Sequence, residues 1–170
     1  MDEKLQTLLN DQVISEYGAS MVYTQLAFEM DNLSFPGMRD WFMGQAAEER
    51  VHAEKIADHL LSRGYRVELN DIPVGSVKAA NPQDAFQASL EHEQKVSEEI
   101  RTIARAALEA YTNGQHRLGL DVTLSGIYAA LHQPGVQRVD LASPTANLVV
   151  NRQSASYCTA INLTDGGLDE

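Results

Sequence analysis

Cysteine is almost absent: Cys158 is alone in a chain of 170 residues. No internal disulfide can form, which fits a reducing compartment. No apolar run approaches the roughly 20 residues that a membrane span needs. The start, Met1-Asp2-Glu3-Lys4, has neither the basic n-region nor the apolar h-region of a secretory leader. Export and membrane insertion are therefore not expected, and the cytoplasm is the default location. Positive charge is scarce as well. Against 24 acidic residues stand 13 Lys and Arg, a net charge of -11, which disfavours nucleic-acid phosphates as partners and favours cations. The same excess also serves plain solubility. Methionine is missing after Met43 and lysine after Lys95, so the two ends of the chain differ.

With 44% apolar residues the chain can bury one sizeable core, in one domain or two small ones. Up to Ala106 there are 18 acidic and 10 basic residues, against 6 and 3 beyond it. After Ala110 the composition turns to Val, Thr, Ser, Asn and Gly. No internal repeat and no low-complexity tract is present.

Before that change, apolar residues recur at helical spacing. Leu5, Leu8, Leu9, Val13, Tyr23 and Leu26 share one face of a first helix, about 3 to 31, ending near the loop from Asn32 to Gly37. Trp41, Gln45, Glu49, His52, Ile56 and Leu60 follow i, i+3/i+4 spacing in a second helix that stops at Gly64, a C′ residue, with Trp41 read as core. So short a loop makes these two helices antiparallel. From Tyr65 to Pro82 the periodicity is lost, with Pro73, Gly75 and Pro82 as punctuation. An extended connection of this length can run the whole of a helix about 40 Å long and bring the third helix parallel to the second. Phe86, Leu90, Glu93, Val96, Ile100 and Ile103 mark the third stripe, from about Gln83 to Tyr111, with Asn113-Gly114 as its stop. The tail reads as a small α+β unit. Asp121 caps a short helix from Val122 to His132, and short strands follow at Val136 to Leu141, Leu148 to Val150 and Tyr157 to Leu163.

The chemistry lies in carboxylates on apolar stripes. Glu93 falls on the face of Phe86 and Leu90, where a charge must be desolvated unless it is paired. Glu49 and His52, three apart, project from one side of the second helix, and Glu16 does the same on the first. A bare Glu-x-x-His is a weak signal, since charged residues three apart are common on exposed helix faces. Together with Glu16 and Glu93 it becomes strong, because oxygen ligands with an imidazole suit iron or manganese, and a metal pair offsets the desolvation of several carboxylates. Glu from two helices with Glu-x-x-His from others is the arrangement of ferritin-like di-iron proteins. His59, His92, His116 and His132 have no ligand-spaced partner and read as surface or locally bonded histidines. Cys158 reads as a small apolar residue in a strand. No Arg or Lys falls clearly on the inward stripes, which weakens a third reading, a helical scaffold whose buried carboxylates pair with Arg.

At Ile14-Ser15-Glu16-Tyr17, Glu48 to Lys55, the crossover through Ile72-Pro73, and Glu91-His92-Glu93-Gln94, the chain from Leu5 to about Ala106 resembles a bacterial ferritin subunit of the actinobacterial type. The resemblance implies Glu16, Glu49 and His52 as ligands of one iron, Glu49 and Glu93 as bridging or binding a second, and Tyr23 as the tyrosine beside the site. It implies Glu48 as a ligand of an accessory third iron, although Glu48 reads equally as a solvated helix residue. It also implies iron as the metal and partner, self-association, and oxidation of Fe(II) by oxygen or peroxide with storage as mineral.

A ferritin closes its bundle with a fourth long helix that supplies Gln or Glu ligands. After Ala107 there is no Glu-x-x-Glu, Gln-x-x-Glu or Glu-x-x-His, and Pro134 and Pro144 forbid such a helix. From about Leu108 the chain instead resembles the C-terminal end of a contractile-tail phage baseplate assembly protein J. That likeness rests on Gln115 to Gly119, Asp121 to Ser125, Ile127 to His132 and Gly135 to Val139. The expected fold class is therefore mainly α: three long helices of a ferritin-like bundle lacking its fourth, then a short α+β tail. The expected domains are 1–110 and 111–170, a chimera joined in the Ala-rich stretch from Ala104 to Ala110. Two functions compete. One is a ferroxidase-type oxidoreductase impaired by the missing wall; the other is an assembly protein with phage tail proteins as partners.

Overall fold

A computed structural model describes residues 1–72, 74, 77–164 and 166; Pro73 and Gly75, used above as punctuation, lie outside them. Four helices are present among the described residues: α1 Glu3–Asn32, α2 Pro36–Leu61, α3 Pro82–Gln115 and α4 Leu124–Leu131. No helix among them is long and apolar enough to cross a membrane. The chain divides into two compact units, Gln6–Glu98 and Met1–Leu5 with the chain from Glu99 onward. The division falls inside α3.

In the first unit α1 turns into α2 through Leu33, Ser34 and Phe35, with Ser34 at φ +64° and Phe35 N–H donating to Met30 O at 2.9 Å. Pro36 opens α2 at a position where its missing N–H costs nothing. The two helices are antiparallel, as expected: Tyr23 stacks on Phe42 at 6.2 Å, and Ser20 Oγ donates to Ala46 O at 2.7 Å. Gly64, at φ +78°, ends α2 as the left-handed C′ residue. Gly64 N–H donates to Leu61 O and Tyr65 N–H to Leu60 O, the paired bonds of a Schellman stop.

The crossover then runs along α1. Asn10 holds its beginning through two bonds to Glu68, at 3.0 and 2.9 Å, while Ala79 at its end is buried with Met30, Phe42 and Ala85. From Asn10 to Met30 a helix rises about 30 Å, so the connection carries the chain back along the length of the hairpin. Asn81 starts α3 by accepting from Asp84 N–H at 2.9 Å, and Asp84 returns a bond to Ala80 N–H at 3.1 Å, a reciprocal cap followed by Pro82. Contacts of Phe42 with Phe86 and of Tyr23 with Ser89 and Glu93 make α3 parallel to α2.

Two packing expectations are corrected. Trp41 is 45% exposed while Phe42 is fully buried, so the α2 stripe runs through Phe42, Ala46, Glu49, Ala53, Ile56 and Leu60. On α3, Phe86 and Leu90 are exposed, and Ala85 and Ser89 take the inward positions. Apolar residues wrap more than one face of each helix, and the small ones win the inner face because they let the backbones approach.

In the second unit α3 continues through Asn113-Gly114 to Gln115 rather than stopping there. Ala104 and Leu108 share a core with Val122, Ile127 and Leu131, edged by Tyr111, Val136, Ile161 and Leu163. The short helix is capped by Thr123 rather than Asp121: Thr123 Oγ1 accepts from Gly126 N–H at 3.1 Å. A Cβ on Gly126 would collide with the Tyr111 hydroxyl. The strands expected at Val136 to Leu141 and Tyr157 to Leu163 form no ladder. Among the described residues β pairing is a single antiparallel bridge, Val122 with Leu148. Side-chain bonds fix the extended segments instead, as where Arg105 Nη1 donates to Ile161 O at 2.9 Å. Among the described residues the only helix after α3 is the short α4, and no long fourth helix follows.

Candidate metal centre

Along α1 the residues Leu9, Gln12, Val13, Glu16, Ser20 and Tyr23 are all buried, spaced three or four apart so that they form one face. Three of them, Gln12, Glu16 and Ser20, are buried polar residues. Gln12 Nε2 donates to Glu16 Oε1 at 2.8 Å, whereas Glu16 Oε2 is buried without a hydrogen-bond partner. On α2, Glu49 is buried between the small Ala46 and Ala53, which lets the helices close up around it. His52 Nδ1 meets Glu49 Oε2 at 3.1 Å; the imidazole is half exposed and the carboxylate nearly enclosed. Glu16, Glu49 and His52 each offer a ligand atom, all within 4.8 Å of one another.

The electrostatics follow from this crowding. Burial foremost, then the hydrogen bond and charge of Glu49, push the Glu16 carboxyl from 4.5 up to about 8, with Gln12 pulling the other way. Burial works against Glu49 too, but the bonds from His52 and Glu16 outweigh it and hold this carboxyl below its ordinary value. His52 is raised by its bond to Glu49, against a smaller opposing effect of burial. Of the two buried carboxyls, Glu16 is the one pushed towards its protonated form, by burial first and then by Glu49. Among the described ion pairs Glu49 pairs with His52, and the Arg50 guanidinium goes to Ser20 Oγ instead. A divalent cation of the iron or manganese type fits this donor set of two carboxylates and an imidazole.

Of the residues named from sequence, Glu16, Glu49 and His52 come together. Glu93 is on the same side but is engaged otherwise: Tyr23 Oη donates to Glu93 Oε1 at 2.5 Å and lies 3.1 Å from Ser89 Oγ. Burial, and then Glu93, raise the Tyr23 phenol, so it stays a proton donor. Glu48 is exposed and bonds to Gln45 Nε2 at 3.1 Å. His116 is locally bonded at Ser156 O and His132 at Tyr128 O, as expected of them.

Two residues were missed. Gln12 is a polar residue one turn before Glu16 on an apolar face, and that spacing was the available signal. His92 is half-buried, its ring 6.0 Å from that of Tyr23, and its Nδ1 is buried with no partner. It is not the surface histidine expected.

The Ferritin-like domain family matches residues 6–115. The C-terminal domain of Baseplate J-like proteins matches residues 85–164. The two matches overlap on α3, so one helix serves both parents. Ferritin BfrB of Mycolicibacterium smegmatis is 35% identical over 107 residues, 63% of this chain and 59% of that protein. Bacterial non-heme ferritin of Bacteroides fragilis is 30% identical over 107 residues, 63% of this chain and 67% of that one. Baseplate protein J of Escherichia phage P2 is 57% identical over 74 residues, 44% of this chain. The chain spans about a quarter (24%) of that phage protein. A crystal structure of an iron-soaked PmFTN variant superposes with a TM-score of 0.63 at 30% identity, covering 66% of this chain and 73% of that one.

Proposed function

We propose, from the premise that this chain belongs to the ferritin-like family through residues 6–115, that it binds Fe(II) and oxidises it. The observation that carries the reading is Glu16 Oε2, buried and without a donor beside Glu49 and His52. A carboxylate so placed is costly unless a cation takes the place of its proton.

In this reading Glu16, Glu49 and His52 hold one iron, and Glu49 with Glu93 hold a second. Tyr23 orients Glu93, and Glu48 is an accessory ligand at the exposed edge of α2. The iron is substrate: each Fe(II) gives one electron to dioxygen or peroxide and leaves as Fe(III). Metal entry displaces the proton on Glu16, so uptake favours higher pH. Turnover is slower than in a four-helix ferritin, because no fourth helix supplies ligands. We place residues 1–110 as the ferritin-like region and 111–170 as the tail, in a cytoplasmic protein that self-associates. The test is iron content after anaerobic Fe(II) loading, followed by oxidation in air. Glu49→Ala should lose most of the metal. Equal content in Glu49→Ala and Glu3→Ala removes the site, and oxidation no faster than in buffer removes the activity.

A second reading rests on the 74-residue likeness of this chain to the phage P2 protein, in a family match that takes in most of α3 as well as the tail. The chain would then be an assembly module that meets other phage tail proteins through residues 111–170. Co-purification with baseplate components that survives Glu49→Ala and is lost on deleting the tail would favour it.

A further inference from the structure

We propose that His92 is a metal ligand of this chain, supplying its Nδ1 to a second divalent cation held between Glu49 and Glu93. The inference rests on the proposed iron site and extends it. In that site a second cation has the two carboxylates alone, fewer donors than iron or manganese takes.

The groups around that position are already spoken for, with one exception. Glu93 Oε1 accepts from Tyr23 Oη, and the same hydroxyl contacts Ser89 Oγ. Glu49 Oε2 meets His52. His92 follows Ser89 by three residues on α3 and therefore comes out on nearly the same side as Ser89, about 100° round the helix from Glu93. Its ring packs 6.0 Å from that of Tyr23, the residue that bonds to Glu93. Yet its Nδ1 is shut away from water and bonds to nothing. Buried ring nitrogens in proteins are almost always hydrogen-bonded or metal-bound. Here a neutral imidazole with Nδ1 as its lone-pair nitrogen is the donor the second cation lacks. Both His92 and Glu93 must turn towards Glu49 for this, since neither is among the groups that already lie within ligand distance of one another.

The experiment uses the full chain, Zn(II) and Co(II) as probes, and no turnover. In the 15N-labelled protein, Zn(II) titration should move the His52 ring nitrogens with the first equivalent and His92 Nδ1 with the second. By Co(II) titration, His92→Gln should weaken the weaker binding step by about tenfold or more, as loss of a donor in such a site does, and leave the tighter step within about twofold. If His92 Nδ1 is silent through two equivalents, or both steps are unchanged in His92→Gln, the inference fails. Should that variant not fold, the 15N shifts of the unaltered chain decide alone. Glu49→Ala separates the two claims. Loss of both steps there, together with a silent His92 Nδ1 in the unaltered chain, overturns this inference only, whereas unchanged binding in Glu49→Ala overturns the iron site itself.

Discussion

Replacing Glu16 by Gln should make the metal-free protein more stable and its metal binding weaker. Burial, foremost, and Glu49 raise this carboxyl from 4.5 to about 8, so the folded chain holds its proton more tightly than the unfolded chain does. That raised value stabilises the fold fully below 4.5, and the contribution is lost as pH rises towards 8. At about pH 7.5 the group lies some three units above its unfolded value, and at 1.36 kcal/mol per unit the cost relative to a neutral side chain is on the order of 4 kcal/mol. Glutamine removes that cost and keeps the shape. Its carbonyl still accepts from Gln12 Nε2, which now donates at 2.8 Å, and its amide can donate to the Glu49 carboxylate beside it. For a chain of this size the gain corresponds to a rise in Tm of about 10 °C. The measurement is thermal melting by circular dichroism after chelation, at about pH 7.5 and again near pH 4.5, where the advantage should vanish. Zn(II) affinity should fall in the same variant. Glu16→Gln that melts lower than the parent at neutral pH, or that gains equally at both pH values, would refute the reasoning.

Three further outcomes are expected. The 18.7 kDa chain should form no closed ferritin shell, because the bundle that presents the shell contacts lacks its fourth helix; a light-scattering mass in the hundreds of kilodaltons contradicts this. Gly126→Ala should destabilise the unit beyond Glu99 by about 1–3 kcal/mol, since its methyl meets the Tyr111 hydroxyl; urea unfolding followed by tyrosine fluorescence near Tyr111 reads the shift. Tyr23→Phe should free Glu93 from its bond to the phenol and raise metal affinity slightly while shifting the pH dependence of binding; an unchanged pH dependence argues that Glu93 takes no part.

Helix existence and order were legible in the sequence because a spacing of three or four is a local property, and so was the stop at Gly64, which acts within one turn; the stop expected at Asn113-Gly114 was not, since α3 runs on to Gln115. Glu16, Glu49 and His52 were legible for the same reason: a charged residue on an apolar stripe announces that it needs a partner, and the structure brings these three within 4.8 Å. That the tail differs from the rest was legible as a change in period, and its baseplate likeness only through resemblance at motifs such as Gln115 to Gly119. What the tertiary structure alone decided was which of two adjacent apolar residues faces inward and which polar group answers another. Phe42 rather than Trp41, and Ala85 rather than Phe86, are buried because close backbone approach depends on the neighbouring helix. The extended runs of the tail remain without a ladder because no second strand lies opposite them, Val122 and Leu148 apart. Tyr23 against Glu93 and the solitary Nδ1 of His92 are a pairing, and the want of one, set by the distance between groups on packed helices, which the chain's own periodicity does not contain.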